Sequence, residues 1–573
     1  MICVLPASTL QQRFDAAVGL HRDGHVTDAV SWYRELLCEV PGDPDLLHLL
    51  GLGLHQMGRT EDAIPLISRA LRAAPCPAYA VSLGGILNEQ KRFTEAERLL
   101  ADAAATDPTA AEAHFYHGTA LSGLGRVGAA SHAYHRALAL APALALALVN
   151  LGTMWERQGR PAAAEPCYRR AVHVMPSSAV AHYNLATVLH AQDRLEEAEA
   201  AYRTAARLNP DHAPTRYNLG LLCHDLGRLG AAERAYRSAI RLQPTHADSH
   251  WNLSLVLLSQ GRFAEGWEEY EWRWLTRDFQ HGHTRTPFPP WRGEVLDGRS
   301  ILVHAEQGAG DAIQFLRYIP LLVRTGARIF LSLPRSLERL AATLPDGVQR
   351  LFEGDVVPPV DFHCPLLSLP RLFGTRIGSI PAGVPYLDTD PALAAAWGLR
   401  LGPRRAPLRV GVVWAGNPTY RKDRTRSPGL AAFAPLFAVE GVEFVILQQG
   451  HGREDLRAGA PLPPLLVDPG TLAPDSPVTD FMDTAAIMAG VDLVISSCTA
   501  PAHLAGALGR PVWVALQAVP DWRWGLAGEA TPWYPTMRLF RQTARGDWNG
   551  VFTRMAGDLD DLARAAASHA SAA

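Results

Sequence analysis

The sequence predicts an all-α repeat superhelix followed by an α/β region of two doubly wound lobes. Three observations predict it. Proline recurs through the first half at a nearly constant interval, and a turn residue recurs in step with it. Beyond residue 298, short apolar runs alternate with helix-compatible segments. The 573 residues are 48% hydrophobic, with a formal net charge of −3. That length accommodates about three to five domain-sized units. With so little net charge and no basic stripe, nucleic acid is not an expected partner. No apolar stretch reaches the ~20 residues of a membrane span, and the start, MICVLPASTLQQRF, lacks the basic and apolar regions of a secretory signal. Seven cysteines are scattered without CxxC spacing, which argues against a disulfide framework or a zinc site and for a reducing cytoplasm.

The repeats come first. Pro41, Pro75, Pro108, Pro142, Pro176, Pro210 and Pro244 are separated by 34, 33, 34, 34, 34 and 34 residues. Gly24, Gly58, Lys91, Gly125, Gly159, Asp193, Gly227 and Gly261 keep the same register, most of them before arginine. Glycine after one helix and proline after the next is the punctuation of a helix pair. The period, with segments such as AHYNLATVLHAQDRLEEAEAAYRTAARLNP, is the signature of tetratricopeptide repeats. Seven full units run from about Ala7 to Pro244, and a capping unit from Thr245 to about Trp274 completes an array over residues 1–274. Such arrays offer a concave surface to a protein partner. Asn150, Asn184, Asn218 and Asn252 lie 34 apart along it. A side-chain amide supplies both donors and an acceptor, so this ladder either grips an acceptor polypeptide or satisfies loops between repeats. Tyr116 stands at the aligned position of an earlier repeat, which confines the ladder to the later ones.

Residues 275–297 read as an irregular linker. ILVHA, from Ile301 to Ala305, is a strand candidate, and EQGAGDAIQFLRYIPLL after it is a glycine turn opening an amphipathic helix. RIFLSL and VQRLF add strands to a first lobe over residues 298–402. Pro403 to Pro407 mark a joint. RVGVVWAGN, EFVILQQ, DLVISS and PVWVAL then build a second lobe over residues 403–573, with a C-terminal helix. Strands alternating with helices imply parallel, Rossmann-like sheets whose ligands sit beyond the carboxyl ends of strands. Gly308-Ala309-Gly310-Asp311 and Ser496-Ser497-Cys498-Thr499 both stand at such ends.

HAEQGAGDAIQFLRYIPLL, WAGNPTYRKDRTRS, DFMDTAAIMAGVDLVISSCTAPAHLAGALGRPVWV and TPWYPTMRLFRQ resemble the catalytic half of bacterial tetratricopeptide-repeat glycosyltransferases. That group includes flagellin-modifying enzymes, and its catalytic half is related to lipopolysaccharide heptosyltransferases. The array resembles the repeat half of O-linked N-acetylglucosamine transferase, whose asparagine ladder holds acceptor polypeptides. The resemblance implies a GT-B fold without a metal requirement, with the acceptor on the first lobe and a nucleotide sugar on the second.

Glycosyl transfer requires a leaving phosphate to be neutralised and an acceptor hydroxyl to be deprotonated. Helix N-terminal amides, hydroxyls and cations serve the first need. Ser497, Cys498 and Thr499 are small enough to let phosphate approach the following helix, with His503 one turn on; ordinary helix capping by serine and threonine is the alternative. Cys498 stands where relatives carry an aspartate. Arg421, Lys422, Arg424 and Arg426 form either a phosphate-binding loop or a solvated turn, with Arg424 and Arg426 preferred for binding. Asn417, Gln448 and Thr484 are further donor-pocket candidates, while Asp480 and Asp483 are candidate helix caps. Asp311 matches the aspartate assigned as general base in the related heptosyltransferases; the alternative is an N-cap for a helix from Ala312 to Leu322. Glu306 and His304 are reserves for the same role.

The leading expectation is an inverting, metal-independent glycosyltransferase without a cofactor. It would move a sugar from a nucleotide donor to a protein serine or threonine, and the array would recruit the acceptor protein. The alternatives are a scaffold with an inactive transferase-like half, or a transferase acting on glycan or lipid acceptors.

Overall fold

Helices alternate in pairs, from Leu10–Arg22 with Val26–Glu39 to Ala247–Ser259 with Phe263–Tyr270. The computed structural model describes residues 9–277, 279, 286–420, 423–457, 459, 462–472 and 478–572. Cys3, Arg421, Lys422 and linker residues 278 and 280–285 lie outside the described residues. Eight helix pairs are present among those described, and the last closes on a second helix of only 8 residues. All eight turn residues of the register adopt positive φ, from 58° at Lys91 to 87° at Gly24. That left-handed conformation is easy for glycine and strained for a side chain. It explains why six of the eight are glycine and singles out Lys91 and Asp193 as the exceptions.

The chain divides into two compact units, Met1–Leu219 and Gly220–Ala573. The division falls inside the array, well before Trp274. In the first unit each pair packs through small-against-large contacts. A Cβ added to Gly118 would stand 2.9 Å from the Tyr134 ring, and one on Gly152 would stand 2.6 Å from Tyr168. Tyr33, Tyr134, Tyr168 and Tyr202 are buried at the same position of their repeats. Arginines after the turns tie neighbours together: Arg194 pairs with Glu197 in its own repeat and with Glu165 of the preceding one, both at 2.6 Å.

The second unit holds the end of the array and two parallel sheets. The first sheet contains β1 (Ser300–His304), β2 (Arg328–Leu333), β3 (Val348–Phe352) and β4 (Phe362–Pro365), in the order β3-β2-β1-β4. The second contains β5 (Leu408–Val413), β6 (Val442–Ile446), β7 (Leu466–Val467), β8 (Leu493–Ser497), β9 (Val512–Leu516) and β10 (Met537–Arg541), in the order β10-β9-β8-β5-β6-β7. This second order is that of a complete doubly wound dinucleotide-type sheet, with its switch point between β5 and β8. Strands β5, β6, β8 and β9 are buried along their whole length, as the inner strands of a parallel sheet are, with Arg409 of β5 and Glu443 of β6 paired at 2.6 Å. The long C-terminal helix, Trp548–Ala572, covers one face through Val551, Phe552, Met555 and Leu559.

Two details differ from the sequence reading. The helix expected from Ala312 to Leu322 is three pieces: Ala309–Phe315, a 3-10 turn Leu316–Tyr318, and Ile319–Val323. Pro320 lacks the amide that a continuous helix would need and instead starts the third piece. The eighth repeat is built into the α/β body. Phe263, Trp267 and Tyr270 share one core with Ile301 and Val303 of β1. Trp267 donates its indole N–H to the Thr375 carbonyl at 3.2 Å and meets Trp522 edge-on at 5.3 Å. Among the described residues no helix is long and apolar enough to cross a membrane.

Candidate functional site

A cleft of about 800 Å³ opens in the second unit. Its walls come from the turn after β1, the loops after β5, β6, β8 and β9, and the segment Val478 to Thr484, so it lies outside the carboxyl ends of strands in both sheets, including the switch point of the second. Asp311, Asn417, Arg426, Gln448, Thr484, Cys498, Thr499 and His503 all line it. Glycines allow the walls to approach. A Cβ on Gly310 would stand 3.1 Å from the Ala500 Cα, and one on Gly416 would meet Arg426 at 2.8 Å and Thr499 at 3.1 Å.

The helix Ala500–Ala507 begins at the cleft with Thr499 as its N-cap, but Thr499 makes no side-chain cap bond. Its hydroxyl instead donates to the Ser497 carbonyl at 3.3 Å. Ordinary capping by the Thr499 side chain is therefore not what this turn does. Cys498 accepts an indole N–H from Trp524 at 2.9 Å. Burial pushes its thiol up to about 11, so it is a neutral packing group at physiological pH. His503 shares a hydrogen bond of 2.9 Å between its Nδ1 and the Tyr534 hydroxyl and stacks on Trp524, with ring centroids 5.2 Å apart. Burial first, then the nearby Arg523, Arg317 and Arg426, drive its pKa well below the ordinary histidine value. In the tautomer where Tyr534 donates to Nδ1, the neutral ring carries its proton on Nε2 and is a donor there. Arg317 is itself buried over the rings of Tyr386, Trp533 and Tyr534, and donates to the Trp533 carbonyl at 2.6 Å.

Asp311 sits at the N3 position of Ala309–Phe315, not at its N-cap, which is Gly308. Its Oδ2 accepts the Gly308 amide at 3.1 Å, and its Oδ1 accepts from Arg523. Burial raises the Asp311 carboxyl above its usual value, against the pull of Arg523. Arg523 was not anticipated from the sequence. It lies in the 3-10 turn Trp522–Trp524, after β9, and also donates to Asp521 at 2.9 Å and to Gln314. The signal was available: PDWRWG follows a strand end in the same way as the two turns that drew attention.

The remaining candidates divide between residues off the cleft and lining residues already held by other partners. Glu306 is fully buried in a bidentate pair with Arg273, at 2.9 and 3.0 Å, and accepts the Leu367 amide. It ties the 3-10 turn after the array to the first sheet. His304 shares a hydrogen bond of 3.2 Å with His363 and lies off the cleft. Ser497 is wholly buried behind the turn, and Arg424 is exposed away from the cleft. Arg426 is held by Asp423 at 3.0 Å, over the Tyr420 ring. Gln448 lines the cleft, but its amide braces the loop after β5, accepting from Trp414 and Ala415 and donating to the Ala415 and His451 carbonyls. Asn417 closes a turn onto Thr419, and Thr484 donates to the Asp480 carbonyl. Asp480 caps the helix Phe481–Ala489. Asp483 instead accepts from Trp397 and Arg339.

The asparagine ladder lies half-buried on the first helices of its repeats. Asn150 donates to Thr119 at 3.4 Å and Asn218 donates to Tyr183 at 3.1 Å, each in the preceding repeat. Asn252, in the second unit, donates to the Asp248 carbonyl at 2.8 Å. Asn184 occupies the same helical position between Asn150 and Asn218.

Profiles of the tetratricopeptide-repeat family match residues 48–111, 117–173, 177–245 and 217–275. The helical half is an array of these repeats. The chain is 30% identical over 325 residues to Protein FlbA of Caulobacter vibrioides, a match covering 53% of this chain and 53% of that protein. The chain thus spans about half the length of the curated relative it matches. Among solved structures, MamA is 23% identical, with 29% of this chain and 97% of that chain covered and a TM-score of 0.27. The Cut9–Hcn1 hetero-tetramer is 19% identical, with 44% and 49% covered and a TM-score of 0.36.

Proposed function

We propose that the second unit is a GT-B-type glycosyltransferase that moves a sugar from a nucleotide donor to a protein hydroxyl, with the repeat array recruiting the acceptor protein. One observation carries the reading. A single cleft joins a carboxylate after β1 to Arg426, His503 and the start of the helix Ala500–Ala507 at the switch point of the second sheet. In this reading the donor diphosphate lies against the start of Ala500–Ala507, where the helix end contributes about 0.3–1 kcal/mol. Arg426 and the Nε2–H of neutral His503 supply the stronger, charge-assisted and directional bonds. Asp311 accepts the proton of the attacking serine or threonine hydroxyl, whose oxygen displaces the nucleotide with inversion at the anomeric carbon. Positioned base catalysis of this kind contributes about 10²–10⁴-fold. Cations and amides take the place that a divalent metal holds in other transferases, so the reaction is proposed to be metal-independent. The resemblance to flagellin-modifying enzymes makes a flagellin-like protein the first acceptor to try.

The test is direct. The full chain is screened by thermal shift against UDP-, GDP-, ADP- and CMP-sugars, and the stabilising donor is then assayed for transfer in the presence of excess EDTA. Stabilisation by a nucleotide sugar and EDTA-resistant turnover are expected. Absence of stabilisation by every donor, or strict dependence on added magnesium or manganese, overturns the reading.

A further inference from the structure

Arg523 and Asp311 come from loops 212 positions apart. Their contact bridges the turn after β1 and the loop after β9, on opposite walls of the cleft. The guanidinium is buried, with 8% of its side chain exposed, and it faces two carboxylates, Asp311 and Asp521. These two are not equivalent. Asp521 is two residues away, caps the same 3-10 turn and accepts the Arg523 backbone amide at 3.1 Å, so it travels with the arginine. Asp311 sits on another element and is bound to Arg523 only through side chains. The Trp522 ring stacks under the guanidinium at 4.4 Å and fixes its plane. One preorganised fork therefore faces the cleft with one permanent and one exchangeable anionic partner.

Resting on the transferase reading, we propose that Arg523 is a donor-operated latch: in the empty site it holds Asp311, and the diphosphate of an incoming donor displaces that carboxylate from the fork and frees it to accept the acceptor proton. The argument is one of charge. A diphosphate entering beside Asp311 and Asp521 meets two negative groups and one shared cation, and bidentate guanidinium geometry suits phosphate oxygens as well as carboxylate. A carboxylate bound to a guanidinium is a poorer proton acceptor than a free one. Coupling the release of Asp311 to donor occupancy gives the site its base only when there is a sugar to transfer. Asp311 remains attached through the Gly308 amide and need only rotate about its own side-chain bonds.

The experiment is a double-mutant cycle read by calorimetric titration of the full chain with inorganic pyrophosphate, UDP and GDP. Arg523→Gln is expected to weaken binding at least tenfold, as loss of a charge-assisted bond does. Asp311→Asn is expected to tighten it about tenfold, within the coupling range of residues in contact, because the competing charge is gone while the Gly308 bond is retained. In the Arg523→Gln background the Asp311→Asn gain should vanish. Unchanged or weaker binding by Asp311→Asn overturns the latch, and so does a gain that persists without Arg523, which would be general electrostatics. If Arg523→Gln melts early, Arg523→Met keeps the buried stem without the charge and the same cycle is read there. Failure of the wild-type chain to bind any of the three probes would overturn the transferase reading itself.

Discussion

The repeat array and the cleft are built on opposite principles. In the first unit a side chain's partners lie within one helix pair or in the adjacent repeat: Tyr134 meets Gly118, and Arg194 meets Glu197 and Glu165. In the second unit the decisive contacts join remote segments: Trp267 reaches Thr375, and Arg523 reaches Asp311. Local, repeated contacts make stability nearly a sum over units. A cleft assembled from several remote segments has no such redundancy, so a single displaced side chain is felt across it.

Substitutions that sharpen this contrast differ in size. Trp267→Ala should have the largest effect, costing about 3–5 kcal/mol as an unfilled aromatic site and lowering turnover as well, because Trp267 supports Trp522 beside Arg523. Tyr134→Ala should destabilise the array comparably in melting experiments yet leave nucleotide affinity unchanged. Equal loss of affinity in both variants would break the contrast.

Asp311→Asn comes next. Asparagine keeps an oxygen for the Gly308 amide, so melting should be preserved while transfer falls by about 10²-fold or more. A fully active variant would remove Asp311 from the base role. Since Glu306 and His304 are committed to Arg273 and His363, neither would readily replace it.

Arg426→Ala should weaken nucleotide binding by about 1.5–3 kcal/mol, whereas Arg424→Ala should leave the titration curve where it was. Replacing Asn150, Asn184, Asn218 and Asn252 together with alanine should weaken transfer to the protein acceptor by roughly tenfold, since a net hydrogen bond is worth about 0.5–1.5 kcal/mol. Hydrolysis of the donor by water should be unaltered in that variant; loss of both activities would make the ladder a set of inter-repeat struts. The smallest effect is expected from Lys91→Gly, which relieves a left-handed side-chain conformation and should stabilise the array by about 1 kcal/mol, visible as a rise in melting temperature.

The same contrast explains what could be read from the sequence. The repeats were legible because their punctuation is local: a residue with φ of 58° to 87° every 34 or so positions and a proline after each second helix. Seven of the ten described strands were legible as short, mostly apolar runs, although β2 alternates in burial and β3 is mostly half-buried. Strand β10, with an arginine at its second and last positions, was not read as a strand. Strand β4 is a four-residue segment beginning at Phe362, and β7 is only Leu466–Val467, too short for any periodicity to register. The roles of Glu306 and His304 were misjudged because nearness to a glycine turn in sequence says nothing about a partner such as Arg273, 33 residues earlier. Arg424 and Arg426 are two residues apart in one short helix, and only the fold decides which reaches the cleft. Arg523 escaped notice because its meaning lies in a contact made from the other end of the region.

The anchoring of the eighth repeat has a consequence for how such a chain can change over time. Phe263, Trp267 and Tyr270 are fixed in the α/β core, and the turn of the seventh pair meets Val519 at Gly227, while the pairs before it pack on their neighbours. Duplicating or deleting a unit upstream of Leu219 would lengthen or shorten the array by one whole helix pair and leave those aromatic sockets filled. The number of repeats is then free to vary over generations, while the last pair, locked into the α/β core by its aromatic side chains, is not.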